Sequence, residues 1–167
     1  MTDVHDEPTH AIDLLVGQHR DMETRLTKLV KSEAPDQAAF NELADELAAH
    51  ITVEEELFYP TVNAARTEDI LLESLEEHLS LKRVLADLLA LRTGDDKFGP
   101  KLHVLAEQAE HHHEEEEEKL FPAVKKLLDK AKLEALGTQM RARIKDLRET
   151  AARTRIPAQT ADSADLP

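Results

Sequence analysis

His50-Ile51-Thr52-Val53-Glu54-Glu55-Glu56-Leu57-Phe58-Tyr59-Pro60 returns later in the chain as His112-His113-Glu114-Glu115-Glu116-Glu117-Glu118-Lys119-Leu120-Phe121-Pro122. Both stretches read H-x-x-x-E-E-E-x-Φ-Φ-P, with Φ apolar, and the matched prolines put them in register. On a helix, residues four apart stand on one face with side chains about 6 Å apart. Each pair, His50 with Glu54 and His112 with Glu116, therefore offers an imidazole nitrogen and a carboxylate to one centre. The two stretches look like halves of a single metal site carried by two helices.

Working outward, the rest of the chain reads as helix too. Of 167 residues only four are glycine and one is tyrosine. Leu, Ala, Glu, Lys and Arg recur at helical spacing, the composition of an all-α protein. A first helix is expected from about Thr9, an acceptable N-cap, to about Lys31, with Ile12, Leu15, His19, Met22, Leu26 and Leu29 as its stripe. A second begins near Asp36 and passes Phe40, Leu43, Leu47, His50, Glu54, Leu57 and Thr61 in steps of three and four, a bundle seam. Pro60 should kink or close it. The third follows Thr67 and carries Leu71, Ser74, His78, Leu81, Leu85 and Leu88 before Thr93-Gly94-Asp95-Asp96 stops it. The fourth starts around Phe98 and runs Leu102, Leu105, Ala109, His112, Glu116, Leu120, Val124 and Leu127. Short connections imply antiparallel neighbours, hence an up-down antiparallel four-helix bundle. An additional C-terminal helix, from about Lys130 to Glu149, should pack across it. Residues 1–8 read as a flexible N-terminus, 9–150 as the folded unit and 151–167 as a disordered tail.

A formal net charge of −14 argues against a nucleic-acid partner, because phosphate backbones are bound by basic clusters. No apolar run approaches the roughly 18 residues of a membrane span. Met1-Thr2-Asp3-Val4-His5-Asp6-Glu7 lacks the basic and apolar regions of a secretory signal, so a cytoplasmic location without membrane partners is expected. The chain has no cysteine, which excludes disulfides, a thiolate nucleophile, iron–sulfur clusters and cysteine-ligated zinc. Any metal must sit on nitrogen and oxygen.

Of nine histidines, four fall in apolar seams, one per bundle helix: His19, His50, His78 and His112. At about 1.5 Å rise per residue all four can share one level of an antiparallel bundle, where Glu54 and Glu116 join them. A single histidine on an apolar face is more often a satisfied core residue than a ligand, and a glutamate run alone is usually a solvated face. Neither accounts for two acid–histidine pairs in one register with a seam histidine in each remaining helix. A buried glutamate without a cation protonates or destabilises its surroundings. Of His111-His112-His113 only one is expected to face the core. Spacing from Pro122 and the Leu102-Leu105-Ala109 seam both choose His112, leaving His111 and His113 rotated about 100° to either side, in solvent or beyond direct ligation. A ferritin-type site needs two inward Glu-x-x-His motifs, and the matches Glu7–His10 and Glu110–His113 fall at the terminus and off the seam.

This constellation resembles the hemerythrin-like, or HHE cation-binding, family over roughly residues 9 to 150. The resemblance is carried by Gln18-His19-Arg20, His50 to Glu56 ending in Phe58-Tyr59-Pro60, Glu77-His78, and His112 to Glu116 ending in Leu120-Phe121-Pro122. It implies two non-haem iron ions with an oxo or hydroxo bridge, bound by His19, His50, His78 and His112, with Glu54 and Glu116 as bridging carboxylates. Iron is chosen by resemblance alone, since imidazole and carboxylate also suit manganese, nickel or zinc. Oxygen-carrying hemerythrins place two histidines four apart on the third helix, whereas Ser74 and Lys82 flank His78 at that spacing. Fewer protein ligands leave more exchangeable positions, so the expected partners are small oxidants (hydrogen peroxide, O2 or NO). Catalase- or peroxidase-like turnover in oxidative-stress defence is the leading expectation. Oxygen or iron sensing, or iron storage without turnover, is the alternative. Sensors usually carry an output domain, and the segment after Glu149 is too short for one. A monomer or weak dimer is expected. Tyr59 is a candidate contact of the site, and Lys82 is expected to be exposed.

Overall fold

Five helices and a C-terminal strap make up the computed structural model, which describes residues 9–167. Helix α1 spans Ala11–Lys31. Helix α2 runs Gln37–Val53 and continues through a widened turn, Glu54–Phe58, into Tyr59–Val62. Helix α3 is Glu68–Leu89, and α4 runs Phe98–Glu115, through a second widened turn at Glu116–Leu120, into Phe121–Leu127. Helix α5 is Lys130–Arg148, and the strap is a 3-10 helix, Ala152–Gln159. No strand occurs among the described residues. The anticipated flexible segment 1–8 lies outside them.

Two of the helix starts follow local chemistry. The Asp36 and Asp129 carboxylates accept the backbone N–H groups of Ala39 and Lys132, both at 2.9 Å, satisfying donors that have no partner inside the helix. Helix α1 departs from expectation, because Thr9 is not its cap. His10 holds that position with no side-chain hydrogen bond. Packing secures this end instead: a Cβ on Gly137 of α5 would lie 1.8 Å from the Thr9 carbonyl oxygen, so glycine is what lets the two backbones approach.

Pro60 does not close α2, which runs on to Val62. Tyr59 N–H donates to Glu54 O, and Phe121 N–H to Glu116 O, each reaching back five residues rather than four. A proline offers no N–H and its ring collides with the carbonyl four residues back in a regular helix. A single wide turn ahead of Pro60 and Pro122 absorbs both problems and lets the helix continue.

The bundle core is aliphatic, with Leu15, Met22, Leu43, Leu47, Leu71, Leu85, Leu102 and Leu105 all buried. Phe40 and Phe98 meet edge-to-face at 5.0 Å near the starts of α2 and α4. Phe58 and Phe121 do the same at 5.8 Å beside the widened turns. Helix α5 packs against α1 and α2, and the strap against α2 and α3.

The strap corrects the expectation of a disordered tail. Ala151 adopts a left-handed conformation, φ 49°, and turns the chain out of α5. Ile156 is then 1% exposed. Arg153 reaches Asp45 at 2.7 Å, while Arg83 donates to the carbonyls of Thr160 and Ala161 at 2.9 and 3.0 Å. A polar segment is held here by two buried side chains, Ala152 and Ile156, and by charge-assisted bonds.

Candidate metal centre

Five histidines, two glutamates and the single tyrosine converge in the middle of the bundle. His50 Nε2 lies 3.1 Å from Glu54 Oε1, and His78 Nε2 lies 3.0 Å from Glu54 Oε2. His112 Nε2 is 3.2 Å, and His19 Nε2 3.4 Å, from Glu116 Oε1. The structure thus brings together His19, His50, Glu54, His78, His112 and Glu116, all buried. Three overlapping groups have ligand atoms within 4.8 Å of one another: His19, His50, Glu54 and Glu116; Glu54, His78 and His112; and His19, His50 and His113.

Each imidazole is held from outside by its other nitrogen. The Nδ1–H of His19 donates to Glu117 at 2.9 Å, that of His50 to the Gln18 amide oxygen at 2.9 Å, that of His78 to Glu55 at 3.0 Å and that of His112 to Glu77 at 3.1 Å. Since a carboxylate only accepts, these bonds place a proton on Nδ1 and leave Nε2 as the nitrogen that faces inward. The anchors also stitch neighbouring helices: α1 to α2, α2 to α3, α3 to α4 and α4 back to α1. The Glu-Glu-Glu run is therefore no solvated face. Its first member points in, its second anchors a histidine of the next helix, and in α2 its third, Glu56, meets Arg143 of α5 in a two-pronged pair at 2.8 and 3.2 Å.

His113 overturns the expectation that only one of the triplet faces the core. It is 1% exposed, stacks on His19 with ring centroids 3.9 Å apart and planes at 9°, and donates from Nδ1 to Glu23 at 3.3 Å. A turn of 100° need not carry a side chain into solvent when helices flank both sides: His112 faces α3 and His113 faces α1. His111 stays exposed, as anticipated, 3.4 Å from Glu77. Lys82 also departs from expectation, at 3% exposure with Nζ 2.9 Å from the same Glu55 that holds His78. Tyr59 is central rather than peripheral. Its hydroxyl lies 3.1 Å from Glu116 Oε2, 3.3 Å from Glu54 Oε2 and 3.1 Å from His78 Nε2.

The family model of the hemerythrin HHE cation binding domain matches residues 10–124. The chain belongs to that family. Its fold is that of a hemerythrin HHE cation binding domain-containing protein from Mycobacterium kansasii, with a TM-score of 0.75 at 24% identity over 88% of this chain and 98% of that one. A relative named DNA nickase, from Nostoc sp. (strain PCC 7120 / SAG 25.82 / UTEX 2576), is 28% identical over 132 residues. That alignment covers 78% of this chain and 38% of the relative, so the chain spans well under half of that protein's length.

A hemerythrin HHE domain binds cations, and the donor set here suits one. Among the described residues, the buried polar side-chain atoms without a hydrogen bond are His10 Nδ1 and five from this cluster: His19 Nε2, His50 Nε2, His113 Nε2, Glu54 Oε1 and Glu116 Oε1. Buried polar atoms are left without partners only at a cost of about 1–3 kcal/mol each. The Nε2 atoms of His78 and His112 face each other at 3.0 Å, an arrangement of two lone pairs that calls for a proton or a cation between them.

Charge in the cluster is shared between its carboxylates and imidazoles. Burial pushes the Glu54 carboxyl up, but the charge of His50 and the bonds from His112, His50 and His78 outweigh it and hold Glu54 well below the usual carboxylate range. Burial, then the charges of Glu116 and Glu54, push the Tyr59 phenol well above its ordinary value. Burial, reinforced by His19, His50 and His112, pushes His113 well below the usual histidine value, which keeps its imidazole neutral. Burial lowers His19, His78 and His112, but Glu116 beside His19 and His112, and Glu54 beside His78, outweigh it and raise all three above the usual histidine value, His112 well above it. Metal binding would displace these protons.

The roles missed from the sequence are those of His113 and of the anchors Gln18, Glu23, Glu55, Glu77 and Glu117. A signal existed for four of the anchors. Gln18, Glu55, Glu77 and Glu117 each adjoin a site residue, so one helical step turns them toward the neighbouring helix.

Proposed function

We propose that this domain holds two non-haem irons and turns over small oxidants, hydrogen peroxide foremost. What carries the reading is the inward set of imidazole nitrogens and carboxylate oxygens beside a protonated phenol, Tyr59, whose hydroxyl touches both glutamates. The irons would be held by His19, His50, His78 and His112 with Glu54 and Glu116 shared between them, and would supply the redox change and Lewis acidity that peroxide chemistry needs.

The chain's own groups do the rest. Glu54 offers one oxygen toward His50 and the other toward His78, so it spans both halves of the cluster. The anchored imidazoles keep their Nε2 atoms aimed without rearrangement. Tyr59 Oη, kept protonated, holds a transferable proton at the inner edge of the site. Phe58 and Phe121 wall it with apolar surface, which limits bulk water. A surface cleft of about 220 Å3 lined by Thr52, Glu55, Lys82 and Gln159 ends one side chain away, at the Glu55 carboxylate that holds His78.

DNA cleavage, the activity in the Nostoc relative's name, sits poorly with a formal net charge of −14. The deciding experiment is anaerobic loading with ferrous iron, elemental analysis, and an oxygen electrode after peroxide is added. About two irons per chain and catalytic oxygen evolution support the proposal. Two irons without turnover favour sensing or storage, and no bound iron sinks both.

A further inference from the structure

We propose that Lys82 is a positioning residue which, through Glu55, fixes His78 and sets the reduction potential of the centre. The proposal rests on the metal-binding reading above and concerns a residue one helical turn past His78 on α3.

The carboxylates that hold the imidazoles share a further feature. Each has one oxygen on a histidine Nδ1 and the other on a basic group. Glu117, which holds His19, meets Arg20, and Glu23, which holds His113, meets the same Arg20 at 2.7 Å. Glu77, which holds His112, lies 3.4 Å from His111 Nε2. Glu55, which holds His78, accepts from Lys82 Nζ at 2.9 Å. Gln18, which holds His50, is a neutral amide with no charge to balance.

Three of these four carboxylates are balanced from the surface, since the Arg20 and His111 side chains are 55% and 65% exposed. Lys82 is the exception, because it is buried. A lysine is almost never fully buried without a partner, and a buried ion pair seldom stabilises a fold beyond what apolar side chains would. Tying one helix to another needs no such burial. Glu56, the next residue along, ties α2 to α5 through a partly exposed Arg143. What burial adds is electrostatic reach, because a charge inside the protein is little screened by water or salt.

The consequence is a graded pull on His78. A carboxylate that accepts from Nδ1–H makes the imidazole a stronger donor at Nε2, which favours the higher charge state of a bound metal. The Lys82 ammonium draws on the same carboxylate from its other oxygen and weakens that pull. With both oxygens engaged Glu55 is held in place, so the His78 ring keeps its plane beside Tyr59 and Glu54. Lys82 therefore favours the ferrous state and holds the potential up.

The test is spectroelectrochemical titration of the full chain loaded anaerobically with ferrous iron, with iron content and helical circular dichroism checked for every variant. Lys82→Met should shift the ferric-to-ferrous ratio at fixed potential about tenfold or more toward ferric, which is about 59 mV for a one-electron change. Lys82→Arg should stay close to the unaltered protein, and Arg20→Met, which removes a charge from the surface, should shift the ratio less than Lys82→Met does. In a Glu55→Gln background the effect of Lys82→Met should vanish. A full shift in that background means that Lys82 acts through space and overturns its action through Glu55. Lys82→Gln, neutral but still able to donate to Glu55, decides the matter if Lys82→Met does not fold. Two bound irons whose potential is unmoved in the neutral variants overturn this inference alone, whereas a chain that binds no iron removes the underlying reading with it.

Discussion

At the residue scale the protein turns on protons that must be in particular places. Tyr59 is the only tyrosine, so its ionisation can be followed by phenolate absorbance without ambiguity. Its folded pKa is raised by burial and by Glu116 and Glu54. Above the ordinary tyrosine value of about 10 the unfolded chain gives up a proton that the native state keeps. The metal-free protein should therefore show little phenolate while folded and lose stability as pH rises past about 10. A smooth titration near 10 with intact helical circular dichroism would contradict this. Glu54→Ala and Glu116→Ala should each lose metal, and the melting temperature of the loaded variant should fall to within a few degrees of the metal-free protein, as read by elemental analysis and calorimetry. Of the six residues that converge, four were legible from two matched His-x-x-x-Glu spacings, and His19 and His78 from their places in the apolar seams. His113 was not, since a lone helical wheel has one inside, whereas a bundle helix flanked by two others has nearly half its circumference inside.

At the scale of elements, the helices were readable from periodicity and the widened turns were not. Nothing in the composition of Glu54–Phe58 distinguishes a five-residue reach from a four-residue one, and only Pro60 and Pro122 hinted that a regular turn could not pass through. Two glycines make opposite predictions about how tightly elements meet. Gly17 lies inside α1, and a Cβ added there would meet no atom within 4 Å, so Gly17→Ala should stabilise the fold by about 0.5–1 kcal/mol through helix propensity. Gly137→Ala drives a methyl into the Thr9 carbonyl and should destabilise by about 1–3 kcal/mol, as overpacking does. Denaturant unfolding of both variants checks the signs. Equal effects would mean that α1 and α5 are not in close backbone contact.

At the scale of the whole molecule, the strap carries the chain from the end of α5 back across α2 and α3. Its order was invisible in the sequence because only Ala152 and Ile156 are buried in it and its remaining ties are ion pairs and backbone carbonyls. Ile156→Ala should cost about 2 kcal/mol, near the low end for a buried large-to-small change, measured by urea unfolding. Unchanged stability would show that the strap is not part of the folded unit. The ring of anchors that runs from α1 through α2 and α3 to α4 and back has a consequence for how the protein is made. The chain is synthesised from its N-terminus, so His19 has no anchor until Glu117 has been added, and His78 and His112 cannot face each other until α4 exists. A nascent chain halted before α4 lacks His112, His113 and Glu116 and leaves His19 Nδ1 without Glu117. The inward-facing cluster is thus assembled only once α4 is in place, and a product truncated before it offers a cation only part of the buried donor set.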